Sequence, residues 1–291
     1  MLVESAARTV DPARGALIPA RPNGSLTGAT FELDGQRFTA LGSVAHAFTP
    51  DRLYVSSCLS SLENATVFVG HYGLSYAGKA ADWKVPLWVH FLSVQFLDVL
   101  WGVFVLLGLE RVRITPGITA TNPLDLYYMP YTHSLVGAVV WSVVAAFLYW
   151  AWRGRRENGR GHLVVGAAVL SHWWLDLLVH RPDLPLIGDR FKVGIGLWNL
   201  PAVAFALEAI VLIAGLLLYL RSTERISRGG TIGSFAFVVL LLAVQAMTFF
   251  GAPPSSASGA AITALVAYFL LAGMAGWLET KRRPLAVAVR S

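Results

Sequence analysis

Six apolar stretches long enough to cross a bilayer dominate this chain, and several carry ionisable side chains at depths where hydrocarbon excludes charge. They run near Pro86–Leu109, Tyr131–Trp152, His162–His180, Leu197–Leu220, Thr231–Phe250 and Gly259–Leu278, with a shorter, weaker stretch over Ala65–Ala80. Each strong stretch is close to the ~20 residues that a helical crossing needs. Composition agrees: 14% of the 291 residues are charged, against about a quarter in soluble domains. The expected fold is an all-α, polytopic transmembrane helix bundle of six to seven spans over residues 65–280. A small polar N-terminal extension, residues 1–64, precedes it, and a basic cytoplasmic tail, residues 281–291, follows.

The basic residues set the orientation. Arg153, Arg155, Arg156 and Arg160 lie between the third and fourth strong stretches after Ala65–Ala80 is counted as the first. Arg221, Arg225 and Arg228 lie between the fifth and sixth, and Lys281, Arg282, Arg283 and Arg290 close the chain. Crossing every span puts these three segments on one side, with Lys79 and Lys84, and the positive-inside rule makes that side cytoplasmic. The loop Glu110–Pro130 then lies outside. The net charge of +6 is read as this topology signal, so nucleic acid is not an expected partner and membrane lipid is. The single cysteine, Cys58, excludes an intramolecular disulfide and a multi-cysteine metal site. No basic region leads into an apolar run at the N-terminus, so no cleavable signal peptide is expected.

Within the extension, Thr30–Leu41 alternates either side of Asp34-Gly35, the pattern of a β-hairpin. It resembles one hairpin of the glyoxalase/PhnB-like fold, over too few residues to imply that fold's metal site or activity.

Three ionisable residues share one run, His172-Trp173-Trp174-Leu175-Asp176-Leu177-Leu178-Val179-His180. The spacing of four stacks them on one helix face. His133 opens the third span at its outer end, Asp98 lies near the middle of the second and His71 near the middle of the first. Imidazole and carboxylate on facing helices are the ligands a divalent metal takes. The candidate metal ligands are therefore His71, Asp98, His133, His172, Asp176 and His180, with Asp98 and Asp176 as candidate catalytic carboxylates. A helix-packing network of hydrogen-bonded His and Asp is the alternative for each. Thr132 or Ser134 is expected to cap the helix that follows His133. Glu208, halfway down the fifth span, is a candidate proton acceptor or outer partner, while His46 and His162 are expected to be solvated.

These residues also resemble a family. Gly70-His71, Asp98, Thr132-His133-Ser134-Leu135 and Ser171-His172-Trp173-Trp174-Leu175-Asp176 are similar to the motif series of the YdjM-like inner-membrane metal-dependent hydrolases. The likeness covers about Phe68 to His180. That family is thought to be distantly related to the zinc-dependent phospholipase C and nuclease superfamily, in which helix-borne His and Asp bind zinc and phosphoesters are cleaved. The resemblance implies a Zn²⁺ or similar ion held by these residues and a phosphoester substrate of a lipid or amphiphile near the outer leaflet. This chain departs from the family where its Pro-Asp-x-Asp-His cluster is reduced to Leu97-Asp98-Val99, leaving fewer carboxylates for a multinuclear site. A transporter or proton-coupled channel would also bury His and Asp, but calls for broken helices, and Gly194, Gly196 and Pro201 interrupt no span centre. A non-catalytic scaffold with a structural metal is the third possibility.

Overall fold

The structure is a computed structural model that describes residues 8–10, 17–19, 30–33, 36–39, 68–154 and 159–285. The chain forms two compact units, Met1–Ser57 and Cys58–Ser291. In the first, β1 (Arg8–Val10) pairs antiparallel with β2 (Leu17–Pro19), and β3 (Thr30–Leu33) with β4 (Gln36–Thr39). Phe31 pairs with Phe38, as the alternation about Asp34-Gly35 predicts; the turn itself lies outside the described residues, as do Cys58 and His46.

The second unit is a helix bundle. Its eight described α-helices are α1 (His71–Ala81), α2 (Leu87–Val94), α3 (Phe96–Leu106), α4 (Leu135–Tyr149), α5 (Gly161–Val179), α6 (Pro201–Ser222), α7 (Arg228–Phe250) and α8 (Ala257–Glu279). Five of them, α4 to α8, are long and apolar enough to cross a membrane. The helix α4 reaches that length by running on through a π-turn, Trp150–Gly154.

The first two expected spans differ from the sequence reading. The helix α1 has 11 residues, too short for a crossing, and His71 begins it instead of lying at its middle. The second span is broken at Gln95 into α2 and α3, which meet at a 56° bend. Neither Gly nor Pro marks that break. The carbonyl of Val94 at the break accepts from His172 Nδ1 at 2.7 Å, and Gln95 Nε2 donates to Phe68 O at 3.4 Å. Tertiary partners thus take up polar groups that a continuous helix would have kept for itself.

A close helix crossing holds α1 in place. A Cβ on Gly215 of α6 would lie 1.9 Å from Gly73 O of α1, and a Cβ on Gly73 would lie 2.2 Å from Val211 O. Both contacts are with backbone, which cannot swing aside, so only glycine permits this approach. Gly215→Ala is expected to destabilise the bundle by about 1–3 kcal/mol, the range for overpacking. The readout is a lower thermal aggregation midpoint in detergent; an unchanged midpoint would show that the helices do not pack this closely.

Polar links tie the basic ends together. The strand β7 (Thr223–Arg225) pairs with β8 (Arg282–Pro284), joining the α6–α7 loop to the segment after α8. Glu279 of α8 accepts from Leu87 N at 2.7 Å and pairs with Lys79, whose ammonium also bonds the carbonyls of Trp83 and Val85. Lys79 is therefore a buried clamp. Arg282 is clamped in the same way, by Thr223 and Thr231 hydroxyls at 2.9 and 3.0 Å. Arg155, Arg156 and Arg290 lie outside the described residues.

The opposite end carries a feature with no sequence forewarning. Inside Glu110–Pro130, β5 (Arg111–Ile114) and β6 (Leu124–Tyr128) form a bulged antiparallel hairpin. The loop after α5 docks against it through Arg181 to Asp125 at 2.6 Å and Lys192 to Tyr127 O at 2.7 Å. An apolar cluster including Leu97, Trp101, Leu124, Trp173 and Trp198 fills the space beneath this cap. The polar residues of interest sit among these side chains.

Candidate metal centre

Each candidate ligand owes its place to a helix end or break. His71 is the first residue of α1, Asp98 lies in the first turn of α3 after the break, and His133 immediately precedes Ser134, the N-cap of α4. Ser134 Oγ accepts from Gly137 N at 3.0 Å, so of the two capping candidates Ser134 caps the helix. His172 and Asp176 face inward from α5, and His180 is its C-terminal cap residue, with extended backbone ahead of Arg181-Pro182.

The structure brings all six together. Asp176 Oδ1 is 3.3 Å from His71 Nε2; its Oδ2 is 3.1 Å from His172 Nε2 and 3.6 Å from both His133 Nε2 and His180 Nε2. Asp98 Oδ1 is 3.2 Å from His133 Nε2 and 3.5 Å from His172 Nε2. Two sets have ligand atoms within 4.8 Å of one another: His71, His172 and Asp176, and Asp98, His133 and His172. His180 belongs to neither set but touches Asp176. The four imidazoles and Asp176 are all buried.

The outer nitrogens decide what the inner ones can do. His172 Nδ1 faces the Val94 carbonyl, which can only accept, so the Nδ1 proton is fixed there. His180 Nδ1 lies 2.9 Å from Asp183 Oδ1, again an acceptor. His133 Nδ1 lies 2.7 Å from Thr132 Oγ1, whose single proton is donated to Glu110 Oε2 at 2.6 Å. Thr132 must therefore accept from His133. With Nδ1 of these three rings protonated, each Nε2 faces a carboxylate, either as a second N–H donor or as a lone pair. Lone pair against anion is repulsive, so a proton or a cation has to lie between them. His71 Nε2 and His172 Nε2 form no hydrogen bond despite the carboxylate oxygens within 3.3 Å. Two carboxylates also carry the charge that one divalent cation balances.

His172 belongs to both sets, so with one ligand atom it cannot complete both at once. The donors fit a divalent ion that accepts nitrogen and oxygen.

Glu208 lies in the second turn of α6 and accepts from Gly70 N at 3.2 Å, steadying the residue before His71. Sequence reasoning missed Glu110, Asp183 and Tyr268. The Tyr268 hydroxyl donates to Asp98 Oδ2 at 2.7 Å, and Glu110 Oε1 also accepts from Tyr131 N and Thr132 N at 2.9 Å. Asp183, three residues past His180, had a legible signal in its spacing; Glu110 and Tyr268 come from distant segments and had none.

Fold and site define a polytopic helical membrane protein with a buried His/Asp cluster. No family model, curated protein or solved structure matches this chain.

Proposed function

We propose that this protein is a metal-dependent hydrolase embedded in the cell's inner membrane, acting on a phosphoester of a lipid or other amphiphile. The observation that carries the reading is that Nδ1 of His133, His172 and His180 is engaged outside the cluster, which leaves Nε2 of each ring to face Asp98 and Asp176 from within metal-binding distance of one another. The motif likeness of the same residues to the YdjM-like hydrolases agrees with it. His71, His133, His172 and Asp176 would hold the ion, most naturally Zn²⁺, with His180 and Asp98 beside them. Such an ion supplies a bound water of lowered pKa, near ~7, and polarises a phosphoryl oxygen. Asp98 is the better base, since its side chain is 15% exposed against 3% for Asp176 and Tyr268 fixes its second oxygen. An apolar groove lined by Phe104, Leu109, Tyr131, Val136, Val140 and Trp141 runs beside the His133 segment, suited to an acyl chain.

Elemental analysis of detergent-purified protein should find near-stoichiometric divalent metal, lost in His133→Ala and His172→Ala. Turnover of a phospholipid and isoprenoid phosphate panel should accompany it. Metal-free protein of normal thermal stability would sink the metal reading. Fully metallated protein inert on the whole panel would leave a second reading, ion- or proton-coupled transport, which the broken helix at Gln95 favours because transporters bind ions at such breaks.

The same reading places the C-terminus in the cytoplasm and Glu110–Pro130 outside. After Cys58→Ser, a cysteine at Ser255 should react with an impermeant reagent in intact cells and one at Ser291 should not. Labelling at position 291 would reverse the orientation.

A further inference from the structure

A small cavity, ≈ 30 Å³, adjoins the cluster and is lined by Asp98, His133, Asp176 and His180 on one side. Trp101, Asn122 and Trp198 also line it. These three come from α3, the β5–β6 connection and the turn before α6, and each is at most 4% exposed. All three carry a buried N–H donor with no hydrogen-bond partner: Trp101 Nε1, Asn122 Nδ2 and Trp198 Nε1. The amide orientation of Asn122 is fixed, because Oδ1 accepts from Leu124 N at 3.0 Å and leaves Nδ2 as the free donor. Trp198 is likewise held, packed at a 40° tilt against His180 with ring centroids 4.2 Å apart, while its carbonyl accepts from Thr121.

One orphaned buried donor is ordinary; three around a single cavity are not, since buried N–H groups nearly always find an acceptor. The donors are neutral and have no acceptor groups of their own number to pair with. What they lack is a ligand rich in oxygen acceptors. The two carboxylates would repel such an anion unless a cation lay between them and it.

We propose that this cavity is an oxyanion pocket in which the Trp101 and Trp198 indoles and the Asn122 amide bind the non-bridging oxygens of a phosphoryl group beside the metal. The proposal rests on the metal-centre reading and names what recognises the substrate there. Three donor nitrogens and one divalent ion suit a phosphoryl group, whose non-bridging oxygens spread around a tetrahedral centre, better than a carboxylate, whose two oxygens lie in one plane. The neutral donors explain how a membrane-buried site without a nearby Lys or Arg lining can take an anion: the ion supplies the charge and the donors supply direction.

The test is equilibrium binding of radiolabelled inorganic phosphate to the full-length, metal-loaded protein in detergent, with metal content measured on the same samples. Wild type should bind phosphate, with acetate a poor competitor, and binding should vanish on removal of the metal with chelator. Trp101→Phe and Trp198→Phe keep an aromatic group but lose the N–H together with the pyrrole ring, so the metal content measured on the same samples checks that the site is intact; each should weaken phosphate about tenfold, as expected for a hydrogen bond to a charged group. Asn122→Asp keeps the acceptor for Leu124 N and puts a carboxylate where the donor was, so it should abolish phosphate binding with the metal retained. Competition by short-chain phosphatidic acid at lower concentration than phosphate assigns the pocket to a lipid headgroup; the reverse order assigns it to free phosphate, and both support the pocket. Phosphate binding unchanged in all three variants, or absent from fully metallated wild type, overturns the pocket and leaves the metal centre standing. Protein that takes up no metal overturns both.

Discussion

Replacing Asp176 with Asn is expected to remove metal and hydrolysis together, whereas Asp98→Asn should keep the metal and lose the rate. The two carboxylates are not equivalent. Asp176 is within 3.6 Å of all four clustered imidazoles, through both of its oxygens. Asparagine there replaces one oxygen by a donor that would bond a bare Nε2, closing the ligand position it occupies. Asp98 has one oxygen toward His133 and His172, and the other is held by Tyr268. Its loss leaves His71, His172 and Asp176 as a three-ligand set. An amide cannot accept a proton, and removing a general base costs typically 10²–10⁴-fold in rate. Elemental analysis and initial rates on one phospholipid substrate separate the two cases. Full activity in Asp98→Asn would remove it as the base; retained metal in Asp176→Asn would remove it as a required ligand.

Residues on continuous helices were the legible part of this chain. Five long spans follow directly from apolar length, because a bilayer fixes how many residues a crossing takes. The inward face of α5 follows from the spacing of His172 and Asp176, since a helix repeats every 3.6 residues. The β3–β4 hairpin follows from strand alternation about Asp34-Gly35. What escaped depends on contacts between distant segments. The break at Gln95 has no Gly or Pro to announce it; His172 and Phe68, from elsewhere in the chain, engage the groups on either side. The short α1 reads as a weak span because hydropathy cannot tell a half-crossing helix wedged against Gly215 from a full one exposed to lipid. The six ligand candidates could be named and their convergence read from the order of the spans, but which atoms meet could not, because that needs the bend that turns Asp98 toward α5. The outer partners were the least accessible of all. Glu110 sits 22 residues from the hydroxyl it accepts from, in a hairpin that no pattern indicated.

That outer shell supports the second large effect. Thr132→Val is expected to weaken metal binding by about 10–100-fold, the usual cost of losing a group that orients a ligating imidazole. Glu110 accepts the Thr132 hydroxyl proton, so the Thr132 oxygen is obliged to accept from His133 Nδ1. This relay keeps the His133 proton on the outer nitrogen and the Nε2 lone pair toward the cluster. Valine has nearly the shape of threonine but cannot accept, so the imidazole is free to move its proton to Nε2 and donate to Asp98, 3.2 Å away. A ligand nitrogen is then converted into a hydrogen-bond donor. Thr132→Ser restores the hydroxyl and should restore affinity, which a packing defect at the start of α4 would not do. Glu110→Gln tests the next link: its amide can donate to Thr132 as well as accept, so the direction of the relay is no longer forced and an intermediate loss is expected. Metal titrations of the three detergent-purified variants at one pH resolve the order, wild type and serine tightest, glutamine between, valine weakest. Equal affinity in valine and wild type would mean that His133 does not ligate through Nε2, and the set Asp98, His133 and His172 would have to be discarded.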